Sequence, residues 1–247
     1  MVAALCKRLG VPHRTLELAI LPGSALQERA RAARYAALAQ WLRARDLAVL
    51  ATAHHTDDQA ELLAMRLNRG SGLRGLSGMR MRAPLPEAPD CLLLRPLLGW
   101  RRADLGAVVT AAGIVPARDP SNIDPRFERV RIRSALAAAK WLDSAALARS
   151  AGYLAEADQA LDWAAEQEWQ RVEQGACWSW SSDAPRAIKL RVLERIVAAL
   201  GRSQPRGLAL SRWLDALEAR RVATLAGVRG DGRGVPWRFT RAAAHRD

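Results

Sequence analysis

The spacing of apolar residues changes several times along the chain, and each change predicts an element. In the opening MVAALCKRLG they fall at helical intervals and stop at Gly10, the residue type that closes helices. HRTLELAI (residues 13–20) alternates apolar with polar and predicts a strand. An Ala-rich helix is expected over residues 25–45, with Leu26, Ala30, Ala33, Ala37, Leu38 and Trp41 on its apolar face. LAVLATA (residues 47–53) is a short continuous apolar run, which predicts a buried parallel strand. A helix follows from about Asp57, then strands at RMRAP (residues 80–84) and CLLLRPLL (residues 91–98), then a helix after Trp100. Such alternation argues for an α/β fold, a parallel sheet flanked by helices.

The pattern changes near Trp141. Residues 141–175 read as one or two helices with two Arg against seven acids, whereas residues 1–140 carry 22 basic and 12 acidic residues. Residues 176–247 are again basic, with 14 against 6. We therefore expect a first domain over 1–140, an acidic helical linker over 141–175 and a small, mainly helical domain over 176–247. The last block holds two helix patterns (residues 185–200 and 210–220) and a hairpin-like pair around GDGRG.

The net charge is +13, and only Lys7, Lys140 and Lys189 are lysines. The positive charge is nearly all Arg, whose planar fork suits phosphate, so a nucleic-acid partner fits this balance. Cys6, Cys91 and Cys177 are far apart and form no CxxC pair, which argues against a Cys-held metal site and fits a reducing compartment. No signal peptide and no membrane-length apolar run is visible, so a soluble cytoplasmic protein without a membrane partner is expected.

Within the basic first block, ATAHHTDDQAE packs two His, two Asp and a Glu together. Thr56 with Gln59 predicts a capping box, which starts the helix at Asp57. His54 then lies at the carboxyl end of a strand, where open α/β sheets place ligands. Asp58 and Glu61, three apart, share a helix face. The plain alternative is that Asp57 and Asp58 only complement the helix dipole and His54 packs at a strand end. The spacing is not H-E-x-x-H, and no metal ligand set is assigned.

Two further stretches carry possible chemistry. Residues 70–75 (Gly70, Ser71, Gly72, Leu73, Arg74, Gly75) match G-x-G-x-x-G but follow a helix, not a strand. Flanked by Arg66, Arg69 and Arg74, they read as an anion-binding turn or as an ordinary helix end with solvated Arg. In ARDPSNIDPRFERVRIRSAL (residues 117–136), Pro120 and Pro125 stiffen a loop that contains Asn122. Arg126, Arg129, Arg131 and Arg133 then gather at the start of a helix. They can contact several phosphates or form a solvated charge run.

ATAHHTDDQAE with RGSGLRGLSGM, RPLL and DPSNIDPRFERVRIR, in that order and spacing, resembles bacterial tRNA(Ile)-lysidine synthetases, members of the pyrophosphate-releasing loop ATPases. The likeness runs from the start to about Leu136, and TLAGVRG with WRFTR resembles the ends of short members. It implies a Rossmann-like, adenine nucleotide alpha hydrolase-like domain and a carbon–nitrogen ligase acting in tRNA modification. ATP, accompanied by Mg2+, would adenylate the carbon-2 oxygen of the wobble cytidine of an isoleucine tRNA, and L-lysine would then displace AMP. By the same resemblance Asp58 and Glu61 bind the lysine ammonium groups and the reacting base, and His54 lies close to the adenylate. His55, Asp57, Arg66, Arg69, the turn at 70–75, Asn122, Arg129, Arg131 and Arg133 would contact substrate or RNA, with Arg131 among the catalytic groups.

The chain departs from that pattern twice. Arg129, Val130 and Arg131 stand where the family has Arg-Asn-Arg, and no Ser-Gly-Gly-x-Asp-Ser phosphate loop occurs in these 247 residues. The expectation is therefore an amino-terminally truncated catalytic domain, inactive by itself. The competing expectation is a non-catalytic tRNA-binding module of the same descent. The sequence leaves the oligomeric state open.

Overall fold

The computed structural model describes residues 2–21, 23, 26–117, 119, 122–203, 205 and 207–242. Met1, Ala25 and Pro120, on which three of the expectations touch, lie outside them. The chain divides into two compact units, residues 1–155 and 156–247.

The first unit opens with α1 (Val2–Arg8), ended as expected before Gly10, whose φ of 67° only glycine adopts freely. Residues 13–20 are not a strand: their backbone makes no ladder and most of them are exposed. Alternation alone does not make a strand, because each needs a neighbour to take its N–H and C=O groups. This segment instead runs beside helix α2 (Leu26–Arg43), where Leu16 and Leu18 with Ala37, Leu38 and Trp41 line a cavity of about 530 Å³. The buried face of α2 is the one that packs on the sheet. Tyr35, Ala39 and Leu42, at i, i+4 and i+7, are the buried residues, whereas the expected Leu26 is exposed.

Strands β1 (Val49–Ala51), β2 (Arg82–Leu85) and β3 (Ala88–Leu94) form a sheet in the order β1-β3-β2. β1 pairs parallel with β3, as Val49 with Leu92 and Ala51 with Leu94. β2 pairs antiparallel with β3. The sheet is therefore mixed, which corrects the all-parallel expectation. The cause is local: only Pro86 and Glu87 separate β2 from β3, and a two-residue link can join antiparallel neighbours alone. β1 is parallel but is an edge rather than a buried strand, with Val49 47 % exposed. Tyr35, Ala39 and Leu42 of α2 pack on Leu85, Ala88, Cys91 and Leu93 to make this unit's core. Helices α3 (Thr56–Asn68), α4 (Leu73–Leu76), α5 (Arg102–Ala111) and α6 (Glu128–Ala138) complete it.

The acidic segment forms one 26-residue helix, α7 (Ser144–Trp169), and the unit boundary falls within it. In the second unit, helices α8 (Arg186–Leu200) and α9 (Gly207–Glu218) cover one sheet of order β4-β7-β6-β5. Its strands are β4 (Trp178–Trp180), β5 (Val222–Leu225), β6 (Val228–Asp231) and β7 (Trp237–Arg241). GDGRG joins β6 to β7 as the sequence predicts. Trp180, Val192, Leu193, Ile196, Leu214, Leu217 and Phe239 fill the core. Gly230 is required there, since a Cβ would lie 2.7 Å from Trp213.

The acids of α7 have partners in this unit. Asp158, Asp162 and Glu166, four apart, face Arg191 and Arg195 of α8. Arg191 and Asp158 are both buried, with Nη2 donating to Oδ1 at 2.6 Å. Arg191→Met keeps the length of the side chain but leaves the Asp158 carboxylate without its main cation, at an expected cost of about 3–5 kcal/mol in urea unfolding. A loss under about 1 kcal/mol would show that water replaces the guanidinium.

Candidate functional site

The turn from β1 into α3 gathers the acids and imidazoles. His54 follows β1, and its Nδ1 lies 2.9 Å from the Thr52 hydroxyl. Helix α3 begins one residue earlier than the sequence predicts, because His55, not Thr56, is its N-cap. Asp58 Oδ2 accepts from the His55 backbone N–H at 2.9 Å, and His55 Nδ1 accepts from the Asp58 N–H at 3.4 Å. Thr56 and Gln59 are otherwise engaged. The Thr56 hydroxyl donates to the Leu98 carbonyl at 3.0 Å, and Gln59 holds both the N–H and the C=O of Met79. Gln59 thus pins the loop around Gly78, a role its sequence position does not reveal.

Each remaining acid has a distinct partner. Asp57 accepts from the Arg102 backbone N–H at 2.8 Å and so ties α3 to the start of α5. Asp58 and Glu61 face α6. Arg129 spans the pair, with Nη2 on Asp58 Oδ1 and Nε on Glu61 Oε2, the latter at 2.6 Å. Arg133, one turn on, donates through Nε to Glu61 Oε1 at 2.6 Å and through Nη2 to Oε2 at 3.2 Å. Glu61 is 3 % exposed. Its burial raises the pKa, but the hydrogen bonds from Arg133 and Arg129 outweigh that and hold it below the ordinary glutamate value. Arg69, the C-cap of α3, adds an ion pair to Glu128.

His54 is the neutral member. Burial lowers its pKa, the Asp58 charge opposes that, and Arg95, Arg129 and Arg31 reinforce it, so the ring is uncharged at pH 7. Arg95, from RPLL, is buried too. Its Nη1 donates to the Arg80 carbonyl at 2.6 Å, and its Nε has no hydrogen-bond partner. The motif's order suggested a landmark, and nothing in its spacing told of a cation whose charge reaches the imidazole.

The other predicted positions make contacts of their own. Residues 70–75 follow the end of α3 as expected. Gly70 has φ 62°, Gly72 is the N-cap of α4, and Gly75 approaches Ser71 so closely that a Cβ would lie 2.8 Å from the Ser71 Cβ. Arg66 Nη1 reaches the Gly75 carbonyl at 3.5 Å, and Arg74 is exposed. Asn122 is exposed. Arg131 donates to the carbonyls of Pro125 and Arg126 at 2.8 and 3.0 Å, and Arg126 pairs with Asp124. Thus the four arginines of that run do not act alike: Arg129 and Arg133 meet the acids of α3, Arg126 meets Asp124, and Arg131 braces the loop before α6.

The site therefore offers two adjacent carboxylates for a cationic group and an uncharged imidazole at a strand end. No helix among the described residues is long and apolar enough to cross a membrane. Comparison with known proteins gives this geometry its family. The PP-loop domain matches residues 1–140. A tRNA(Ile)-lysidine synthase of Novosphingobium aromaticivorans is 55 % identical over 249 residues, covering 100 % of this chain and 76 % of the relative. Another from Zymomonas mobilis is 37 % identical over 250 residues, covering 98 % of this chain and 75 % of the relative. The chain belongs to the tRNA(Ile)-lysidine synthase family of PP-loop ligases.

Proposed function

We propose that this site forms lysidine on the wobble cytidine of an isoleucine tRNA. The carbon-2 oxygen of the base attacks the α-phosphorus of ATP and pyrophosphate leaves. The amine of free L-lysine then attacks carbon 2, a carbon–nitrogen bond forms, and AMP departs with the oxygen. The observation that carries this reading is the Asp58–Glu61 pair, one carboxylate half-buried and the other buried, within a chain of net charge +13. A pair of carboxylates suits a cationic substrate, which free lysine is.

In this scheme Asp58 and Glu61 hold the ammonium groups and orient the amine towards the base. The attacking amine must lose a proton, and the neutral His54 imidazole beside the pair is a suitable acceptor. Arg131, the turn at 70–75 with Arg66, Arg69 and Arg74, and Asn122 are assigned to nucleotide or tRNA phosphates. Among the described residues no three His, Cys, Asp or Glu side chains are grouped to hold a metal ion. Mg2+ would accompany the ATP phosphates. A tRNA substrate fits a cytoplasmic location.

The test is incorporation of labelled L-lysine into an isoleucine tRNA transcript by the chain joined to a family phosphate-loop segment. Incorporation that requires ATP and a wobble cytidine, and is lost when that base is uridine, is the expected result. Equal labelling of both transcripts would overturn the assignment.

A further inference from the structure

The acids proposed to receive lysine already hold cations of their own. Asp58 Oδ1 and Glu61 Oε2 accept from Arg129, Glu61 Oε1 accepts from Arg133, and Asp58 Oδ2 accepts from the His55 N–H. All four carboxylate oxygens are engaged. The two carboxylates thus face two guanidinium groups, and the Asp57 charge acts on Arg133 as well. An ammonium group entering against Asp58 and Glu61 would meet guanidinium groups that already occupy their oxygens in a largely buried place, which Coulomb repulsion opposes. One guanidinium has to leave.

The two candidates are not equivalent. Arg129 is the second residue of α6, next to the irregular segment that precedes the helix, and its side chain is 42 % exposed. Arg133 lies a turn deeper, with 29 % exposure. Arg129 also bridges both acids, so its departure frees an oxygen on each at once, while Arg133 can stay on Glu61 and keep it ionised. We propose that Arg129 is an exchangeable counter-ion: it holds Asp58 and Glu61 in place and is displaced when lysine enters. This positioning role rests on the lysine reading above. It goes beyond it in assigning Arg129 to the acids rather than to phosphate, and in making its release the step that admits the substrate.

The swap is read by binding alone, without turnover. In 15N arginine NMR of the 247-residue chain, titration with L-lysine moves the Arg129 Nε–H signal as its bond to Glu61 breaks, and leaves the Arg133 Nε–H signal in place. Nε-acetyl-lysine, which lacks the side-chain charge, moves neither. By calorimetry, Arg129→Gln binds L-lysine roughly tenfold more tightly than the parent, because one charge-assisted hydrogen-bonded contact no longer has to be broken. Arg129→Lys, which keeps a tethered cation, stays near the parent. Lysine bound with the Arg129 signal unmoved, or bound more weakly by Arg129→Gln, would overturn the swap and make Arg129 a fixed part of the site. No lysine binding by either the parent or Arg129→Gln would instead overturn the lysine reading, and the swap with it.

Discussion

Glu61→Gln is expected to remove lysine incorporation while leaving tRNA affinity within about twofold. The change keeps the shape of the side chain and takes away its charge. In the folded chain that charge is buried and met by two guanidinium groups, so the variant loses the attraction for an ammonium and also leaves Arg133 facing an amide. Removing one member of a buried, hydrogen-bonded charge pair costs about 2–5 kcal/mol. At 1.4 kcal/mol per tenfold this is roughly a thirty- to several-thousand-fold fall in kcat/KM for lysine. Because the same pairs hold α6 against α3, a melting curve has to accompany the kinetics. Asp58→Asn is the milder partner experiment, since an amide oxygen can still cap the His55 N–H. Lysine incorporation by Glu61→Gln within threefold of the parent, in a folded protein, would remove Glu61 from the site.

The acids themselves were legible in the sequence, because their helix face follows from spacing alone. Their partners were not. Arg129 and Arg133 lie 68 and 72 residues from Glu61, and a run of arginines displays its charge without displaying what neutralises it. Phosphate and carboxylate attract the same fork, and only the fold decides between them. The capping error is of the same kind. Thr56 and Gln59 fit the motif, yet each finds a better bond across the fold, to Leu98 and to Met79, and His55 with Asp58 takes their place. The mixed sheet was nearer to hand. Both strand patterns were visible, but their facing ends were set at residues 84 and 91, several residues too far apart, so the two-residue link that fixes their direction did not show. Of the second unit, the helices and the GDGRG hairpin followed from pattern. The pairing of α7 acids with α8 arginines, like that of Glu61, needed coordinates.

A polypeptide of these 247 residues is expected to bind lysine but to release no pyrophosphate from ATP, with or without tRNA. A triphosphate needs backbone N–H groups and small residues at a strand-to-helix turn, with the helix dipole behind them. The turn from β1 into α3 has the right topology and the wrong chemistry. Its first N–H groups are already taken by His55 and Asp58, and Asp57 and Asp58 place negative charge where a phosphate would sit. The glycines at 70–75 follow a helix, and the Ser71 N–H is spent on the Arg66 carbonyl. Meanwhile β1 offers one unpaired edge, with Val49 exposed beside it, to which a further parallel strand can add. Joining a strand and a Ser-Gly-Gly-x-Asp-Ser loop from a family member to these residues is therefore expected to supply donors to the phosphates and cover that edge together. The measurement is pyrophosphate release with tRNA, first from the 247 residues and then from the extended protein, alongside the fraction of each that stays monomeric. Turnover by the 247 residues alone would mean that another nest of donors in this chain holds the triphosphate.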